Sequence, residues 1–161
     1  MLGLRQKLTT VSLFAGLDEQ ELDRLFDLAE VRTLAPRQVL FKEGDTSDAL
    51  FVVLEGDVEV SREDRVLAEL GPGAALGELS LFSQTARRSA TIRAICPVTV
   101  LRLPVVPMRK LIATHDVAAL KVASNLAQQM AERLLALNDR LLAQGRKGLA
   151  VARSELRRVV L

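Results

Sequence analysis

Between residues 39 and 103 the chain is a succession of short apolar runs, each cut off by turn-forming residues, and no other feature restricts the fold as much. Residues 39–41 (VLF), 49–54 (ALFVVL), 58–60 (VEV), 66–70 (VLAEL), 90–95 (ATIRAI) and 98–103 (VTVLRL) are rich in Val, Ile and Leu and too short for helices. Glu43-Gly44-Asp45, Glu55-Gly56-Asp57, residues 62–65 and Gly71-Pro72-Gly73 punctuate them. Short strands with turn signals at roughly eight- to twelve-residue intervals predict an antiparallel sandwich or barrel. The jelly-roll form, a double-stranded β-helix, would enclose space between its two sheets.

Helical periodicity flanks this block on both sides. The first clear helix start is at Leu17-Asp18-Glu19-Gln20-Glu21-Leu22, where Asp18 can cap the free amides and Glu21 stands at the capping-box position. Leu17 and Leu22 can form a hydrophobic staple, and Leu22, Leu25, Phe26 and Ala29 supply an apolar face that stops near Val31. Beyond Pro107 the helical period returns over residues 108–113, and a longer helix is predicted over residues 116–144. Within it Ala123, Ala127, Met130, Leu134, Leu137 and Leu141 recur at steps of three and four, a heptad seam. That seam suits a homodimer through Met130, Leu134, Leu137 and Leu141, or packing onto the chain's own sheets; both alternatives stand. Gly145 and Gly148 interrupt the helical pattern, and Leu149, Ala152, Leu156 and Val159 mark a short amphipathic end. The expected organisation is therefore a mainly β domain with flanking helices over residues 1–144 and a basic tail over 145–161.

Composition and charge exclude several classes. Hydrophobic residues are 49% and charged residues 26%, the balance of a folded chain rather than a disordered one. No apolar run has the length of a membrane helix, and MLGLRQKLTT lacks a signal-peptide core, so the chain is expected not to be transmembrane. One cysteine cannot form an internal disulfide, which fits a reducing cytoplasm. Net charge is only +2, but residues 138–161 hold six basic against two acidic residues, a balance of +4 that leaves −2 for the remainder. Such a tail suits nucleic acid, an anionic membrane or an acidic protein, or is simply a solvated face. It carries no aromatic residue for base stacking, and the stretch after Gln144 is too short for a three-helix reader of the major groove, so nucleic acid is not the expected partner. His115, the only histidine, precedes a helix start, and Cys96 adjoins Pro97 at a strand junction. Neither has companions for catalysis or metal binding, so neither enzymatic activity nor a cofactor is expected.

Residues 76–94, LGELSLFSQTARRSATIRA, mix buried-type apolar residues with charges that a buried strand does not need. Gly77 would let another group approach the backbone closely. A short helical turn over residues 78–82 would present its first amides, near Glu78, Leu79 and Ser80, as an anion site. Arg88 brings a planar fork suited to two phosphate oxygens, and Ser89 adds a hydroxyl beside it. Glu78 cannot bind phosphate but can accept from a sugar hydroxyl, which describes a sugar phosphate ester as the ligand. The alternative is that Glu78 and Arg88 simply pair with each other.

LGPGAALGELSLFSQTARRSATIRA resembles the phosphate-binding cassette of the cyclic-nucleotide-binding domain family, and the resemblance extends over about residues 13–142, including VLFKEGDTSDALFVVLEGDVEV. It implies that Gly77, Glu78 and Leu79 supply backbone amides to a cyclic phosphate, that Glu78 takes the ribose 2′-hydroxyl, and that Arg88 holds the phosphate with Ser89 beside it. Arg88 follows Gly77 by eleven positions, as in the bacterial activators of this family, which makes Arg87 an outward neighbour. Leu76, Ala74 and Ala75 replace more frequent residues, and no proline precedes the arginine pair. In the family a residue of the long helix covers the base; Arg133, able to stack on a purine, and Asn138, able to read a base edge, are the candidates. The implied ligand is cyclic AMP or cyclic GMP, and the implied role is a stand-alone regulatory module signalling through its C-terminal helix to a protein partner that the sequence does not identify. A ligand-free scaffold of the same fold and a fragment of a transcription regulator are the alternatives.

Overall fold

The computed structural model describes residues 2–83 and 87–160, with side chains described over residues 6–83 and 87–148. Among the described residues eight strands form two four-stranded antiparallel sheets, ordered β1-β8-β3-β6 and β2-β7-β4-β5. The strands are β1 (Glu30–Leu34), β2 (Val39–Phe41), β3 (Ala49–Glu55), β4 (Val58–Arg62), β5 (Arg65–Leu70), β6 (Ala75–Leu76), β7 (Thr91–Ala94) and β8 (Val98–Pro104). Consecutive strands repeatedly change sheet, as a jelly roll requires. Helices α1 (Leu2–Thr9) and α2 (Glu19–Phe26) precede the roll, a one-turn α3 (Leu79–Phe82) lies within it, and α4 (Val105–Ala113) and α5 (Val117–Val160) follow.

β3 shows why the roll is stable. Its residues 49–54 are all buried, because successive side chains point to opposite faces and both faces are covered. Ala49, Phe51 and Val53 join Leu34, Val58, Leu76, Ile92 and Val100 in the core between the sheets. Leu50 and Val52, fully buried at the alternate positions, face the helical side. On that side Phe14, Leu22, Leu25 and Phe26 meet Leu101 and Leu103 of β8. Gly56, at φ 77°, makes the β3–β4 turn, where a Cβ would overlap the carbonyl oxygen of Pro97.

The capping box at the start of α2 is formed: Asp18 Oδ1 accepts from Glu21 N–H at 2.8 Å and Glu21 Oε2 accepts from Asp18 N–H at 2.9 Å. Glu21 also binds Lys121 of α5, at 2.7 Å to Oε2, and Asn125 donates to the carbonyls of Leu13 and Ala15, each at 2.9 Å. The first turns of α5 therefore clasp the N-terminal segment.

The structure differs from the sequence expectation in four places. Helix α1 precedes the first helix expected, and β1 and β6 were not anticipated. The long helix does not break near Gln144 but continues through Gly145 and Gly148 to Val160. Neither glycine's Cβ position meets a neighbour, and a helical glycine costs only about 1 kcal/mol against alanine, which strong helix formers on either side outweigh. The amphipathic pattern expected at Leu149, Ala152, Leu156 and Val159 lies outside the described side chains.

The chain divides into two compact units, Met1–Leu126 and Ala127–Leu161. Among the described residues no helix is long and apolar enough to cross a membrane.

Candidate functional site

Arg88 enters the roll from the segment before β7, and the turn at Gly44 sets its point of entry. Arg88 N–H donates to Asp45 O at 2.9 Å, and Gly44 N–H donates to Arg88 O at 2.8 Å. Arg87 goes the other way; its side chain is exposed and its Nη1 donates to Gly44 O at 3.1 Å.

Arg88 is only 4% exposed, its guanidinium included in that burial. It lies over the ring of Phe41, Cζ to centroid 4.1 Å, and 5.5 Å from that of Phe51. Cation–π attraction of this kind is worth about 2 kcal/mol when desolvated, which offsets only part of the burial cost. The nearest carboxylate is Asp48, whose Oδ1 is 3.5 Å from Nη2. Asp48 is mostly exposed and shared with Arg102, which donates to its Oδ2 at 2.7 Å. Burial pushes the guanidinium pKa below its ordinary value, with the Asp48 charge opposing that shift. Arginine remains charged all the same. Its Nε and Nη1 are buried and have no hydrogen-bond partner among the described residues.

Gly77 is the other half of this arrangement. It adopts φ 68°, a left-handed conformation, and a Cβ there would overlap Arg88 Nη1. The glycine thus lets the guanidinium lie against the backbone of the cassette turn. Glu78 follows in helical conformation and is half-buried, contributing an attractive charge toward Arg88. An ion pair joins Arg88 to Asp48. Leu79 is 45% exposed, Ser89 is exposed on the bend after Arg88, and Ser80 is 1% exposed with its hydroxyl donating to Gly77 O at 2.6 Å. The Ser80 hydroxyl is therefore used within its own turn.

The structure brings Gly77, Glu78, Ser80 and Arg88 together. Arg133 and Asn138 belong to the second unit, both exposed on α5. Leu134, Leu137 and Leu141 of the heptad seam are also exposed there, and Met130 is half-buried. Sequence reasoning missed Phe41, Phe51 and Asp48 around the guanidinium, and Arg109, which donates to the cassette carbonyls of Ser80 and Leu81. Phe41 and Phe51 look like any core residue of a strand, and Arg109 like any surface cation of a helix. Among the described residues no group of three or more His, Cys, Asp or Glu side chains could hold a metal.

The roll sets a glycine-led turn against a buried arginine, an arrangement suited to a small anionic group. The family model described as "Cyclic nucleotide-binding domain" matches residues 31–115, and the chain belongs to that family. Glutaminase 1 of Bradyrhizobium diazoefficiens is 35% identical over 130 residues, 80% of this chain but 21% of that protein. The chain thus spans about a fifth of the length of that relative. Among solved structures, the Thermus thermophilus catabolite activator protein superposes with a TM-score of 0.64 at 31% identity, covering 79% of this chain and 62% of the other. The regulatory domain of Toxoplasma gondii PKA, crystallised with cAMP, gives 0.59 at 29% identity, covering 66% and 42%.

Proposed function

We propose that this chain is a cyclic-nucleotide sensor whose ligand, cyclic AMP or cyclic GMP, places its phosphate against Arg88. The observation that carries the reading is the pair of nitrogens, Nε and Nη1, without partners among the described residues on a buried guanidinium packed against Gly77. An anion there would complete the hydrogen bonding that the protein leaves open. Backbone amides of Gly77, Glu78 and Leu79 share the phosphate, Ser80 closes the turn through its own amide and hydroxyl, Glu78 accepts from the ribose 2′-hydroxyl, and Ser89 stands beside the phosphate, compatible with either base. Arg133 or Asn138 serves as the lid over the base. Residues 1–144 form the binding module in this scheme and 145–161 a basic tail facing a protein partner, with dimerisation through Met130, Leu134, Leu137 and Leu141. The reading makes the module a regulator rather than an enzyme and places it in the cytoplasm, where the one cysteine stays reduced.

The mechanism is a population shift. Nucleotide binds more tightly when the cassette is drawn toward the phosphate, and the equilibrium moves only by that difference in affinity. Isothermal titration of nucleotide-free protein with cyclic AMP and cyclic GMP separately tests the reading. Micromolar binding of either one, lost in Arg88→Ala, is the expected result. A folded sample giving no heat with either would overturn it in favour of a scaffold that retains the fold without the ligand.

A further inference from the structure

We propose that Arg109 is a positioning residue that couples the cassette turn to the helices following the roll; the inference rests on the nucleotide-binding reading above. α3 is a single turn, so its carbonyls have few partners of their own. Gly77 O accepts from Ser80 N–H at 3.3 Å, Glu78 O from Leu81 N–H at 3.1 Å, and Leu79 O from Ser83 N–H at 3.0 Å. The next two carbonyls, Ser80 and Leu81, both accept from Arg109. Its Nη2 donates to Ser80 O, and its Nε donates to Leu81 O at 3.2 Å.

One rigid fork thus holds two consecutive carbonyls, and its positive charge sits at the end of the helix where cations are favoured. Ser80 and Leu81 are 1% and 5% exposed, so water cannot readily replace Arg109 on that backbone. A lysine, with a compact charge on a flexible stem, could hold the pair less rigidly.

Arg109 belongs to α4, and α4 is joined to α5 by a short elbow that is hydrogen-bonded throughout. Thr114 N–H donates to Lys110 O at 3.0 Å, His115 N–H to Ile112 O at 3.1 Å, and Asp116 N–H to Leu111 O at 2.9 Å. His115 takes the left-handed conformation, φ 61°, and Asp116 then caps α5 by accepting from Ala119 N–H at 3.0 Å. The buried Ala118, Ala119 and Val122 follow directly. A shift of the cassette turn on binding phosphate is therefore passed by Arg109 to α4, and by the elbow to the first turns of α5.

The chain has a single histidine, and it stands at this elbow. Its imidazole proton resonance reports on the elbow without any assignment problem. The experiment titrates cyclic AMP and cyclic GMP into the wild type, Arg109→Met and Arg109→Lys, reading affinity by calorimetry and the elbow by the His115 signal. The wild type should bind and shift His115. Arg109→Met should bind within about tenfold of wild type, the scale of an ordinary coupling, but lose the His115 shift, while Arg109→Lys keeps part of it. A full His115 shift in nucleotide-bound Arg109→Met would overturn the inference, as would an unmoved His115 in saturated wild type. If Arg109→Met does not fold, Arg109→Lys decides: a reduced shift supports the coupling and an undiminished one overturns it. A wild type that binds neither nucleotide would instead overturn the proposed function, and this inference with it.

Discussion

Glu21 and Arg88 are, among the described residues, the two charged side chains buried in the first unit, and their surroundings are opposite. Glu21, 6% exposed, has both carboxylate oxygens in use, one shared between Asp18 N–H and Lys121 and the other accepting from Lys121 at 2.9 Å. Arg88, 4% exposed, rests on aromatic rings with two of its nitrogens unpartnered among the described residues. Burial of a charge costs several kcal/mol unless hydrogen bonds and a counter-charge offset it. The protein supplies that compensation to Glu21 in full and to Arg88 only in part. Glu21 therefore belongs to the architecture, and under the proposed function Arg88 is completed by a group from outside.

The strongest way to break this contrast is to measure nucleotide binding in both places. Arg88→Ala should cost 2–5 kcal/mol of binding, roughly 30-fold to several thousand-fold in Kd, as expected for truncating one side of a buried charged contact. Lys121→Met, which strips Glu21 of its counter-charge, should leave the affinity of the folded protein near that of wild type. Equal losses in the two variants, measured by the same titration, would erase the distinction.

The next effect is on stability and falls at the glycine beside the arginine. Gly77→Ala forces a Cβ into a left-handed backbone position and into Arg88 Nη1. A cost of about 1–3 kcal/mol is expected for such strain, seen in chemical denaturation. The double variant Gly77→Ala with Arg88→Met should recover the part that is due to overlap and retain the part that is due to φ, which separates the two causes.

A third test turns on sign. Arg88→Met removes an incompletely partnered charge from an apolar setting and leaves behind only Asp48, which is largely exposed. It should raise stability by about 1 kcal/mol, or roughly 2–4 °C in Tm. Lys121→Met should lower Tm, because it leaves the Glu21 carboxylate short of its main partner. If both variants shift Tm in the same direction, the two buried charges are not the opposites described above.

The contrast also separates what could be read in the sequence from what could not. The strands at 49–54, 58–60 and 98–103 announce themselves as short apolar runs between turns, the first of them continuous because it is buried on both faces. β1 does not, since Glu30, Val31, Arg32 and Thr33 are all exposed on an edge strand and owe their pairing to β8. β6 is two residues long and exists only through its bonds to β3. The Asp18–Glu21 capping box was legible as a local motif, but the Lys121 that completes Glu21 lies a hundred residues away. The site behaves likewise. Gly77 and Arg88 could be linked by a motif, whereas Phe41, Phe51, Asp48 and Arg109 carry no mark in the chain of what folding places beside them. Glycine misled at Gly145 and Gly148, where weak helix propensity was read as a stop and the helix continues.

The smallest effect concerns pH, and it tests the same contrast through the shape of a curve. The hydrogen bond from Lys121 and that from the Asp18 amide hold the Glu21 pKa below its ordinary value of 4.5, against the opposing effect of burial. For Asp48, burial alone would raise the pKa, but the hydrogen bond and charge of Arg102 outweigh it and the net shift is down from 3.8. A carboxylate depressed in the folded state contributes stability that is complete above its unfolded pKa and is lost as pH falls through the folded one. Stability should therefore decline below about pH 4.5, and Glu21→Gln should make that decline shallower. Arg88 does not titrate anywhere near this range, so its burial lowers stability equally across it. In denaturant titrations from about pH 3 to pH 8, Arg88→Met should raise the whole profile without changing its shape, whereas Glu21→Gln should change its acid limb. An acid limb that stays as steep in Glu21→Gln as in wild type would show that the Glu21 carboxylate is not among the groups whose protonation weakens the fold.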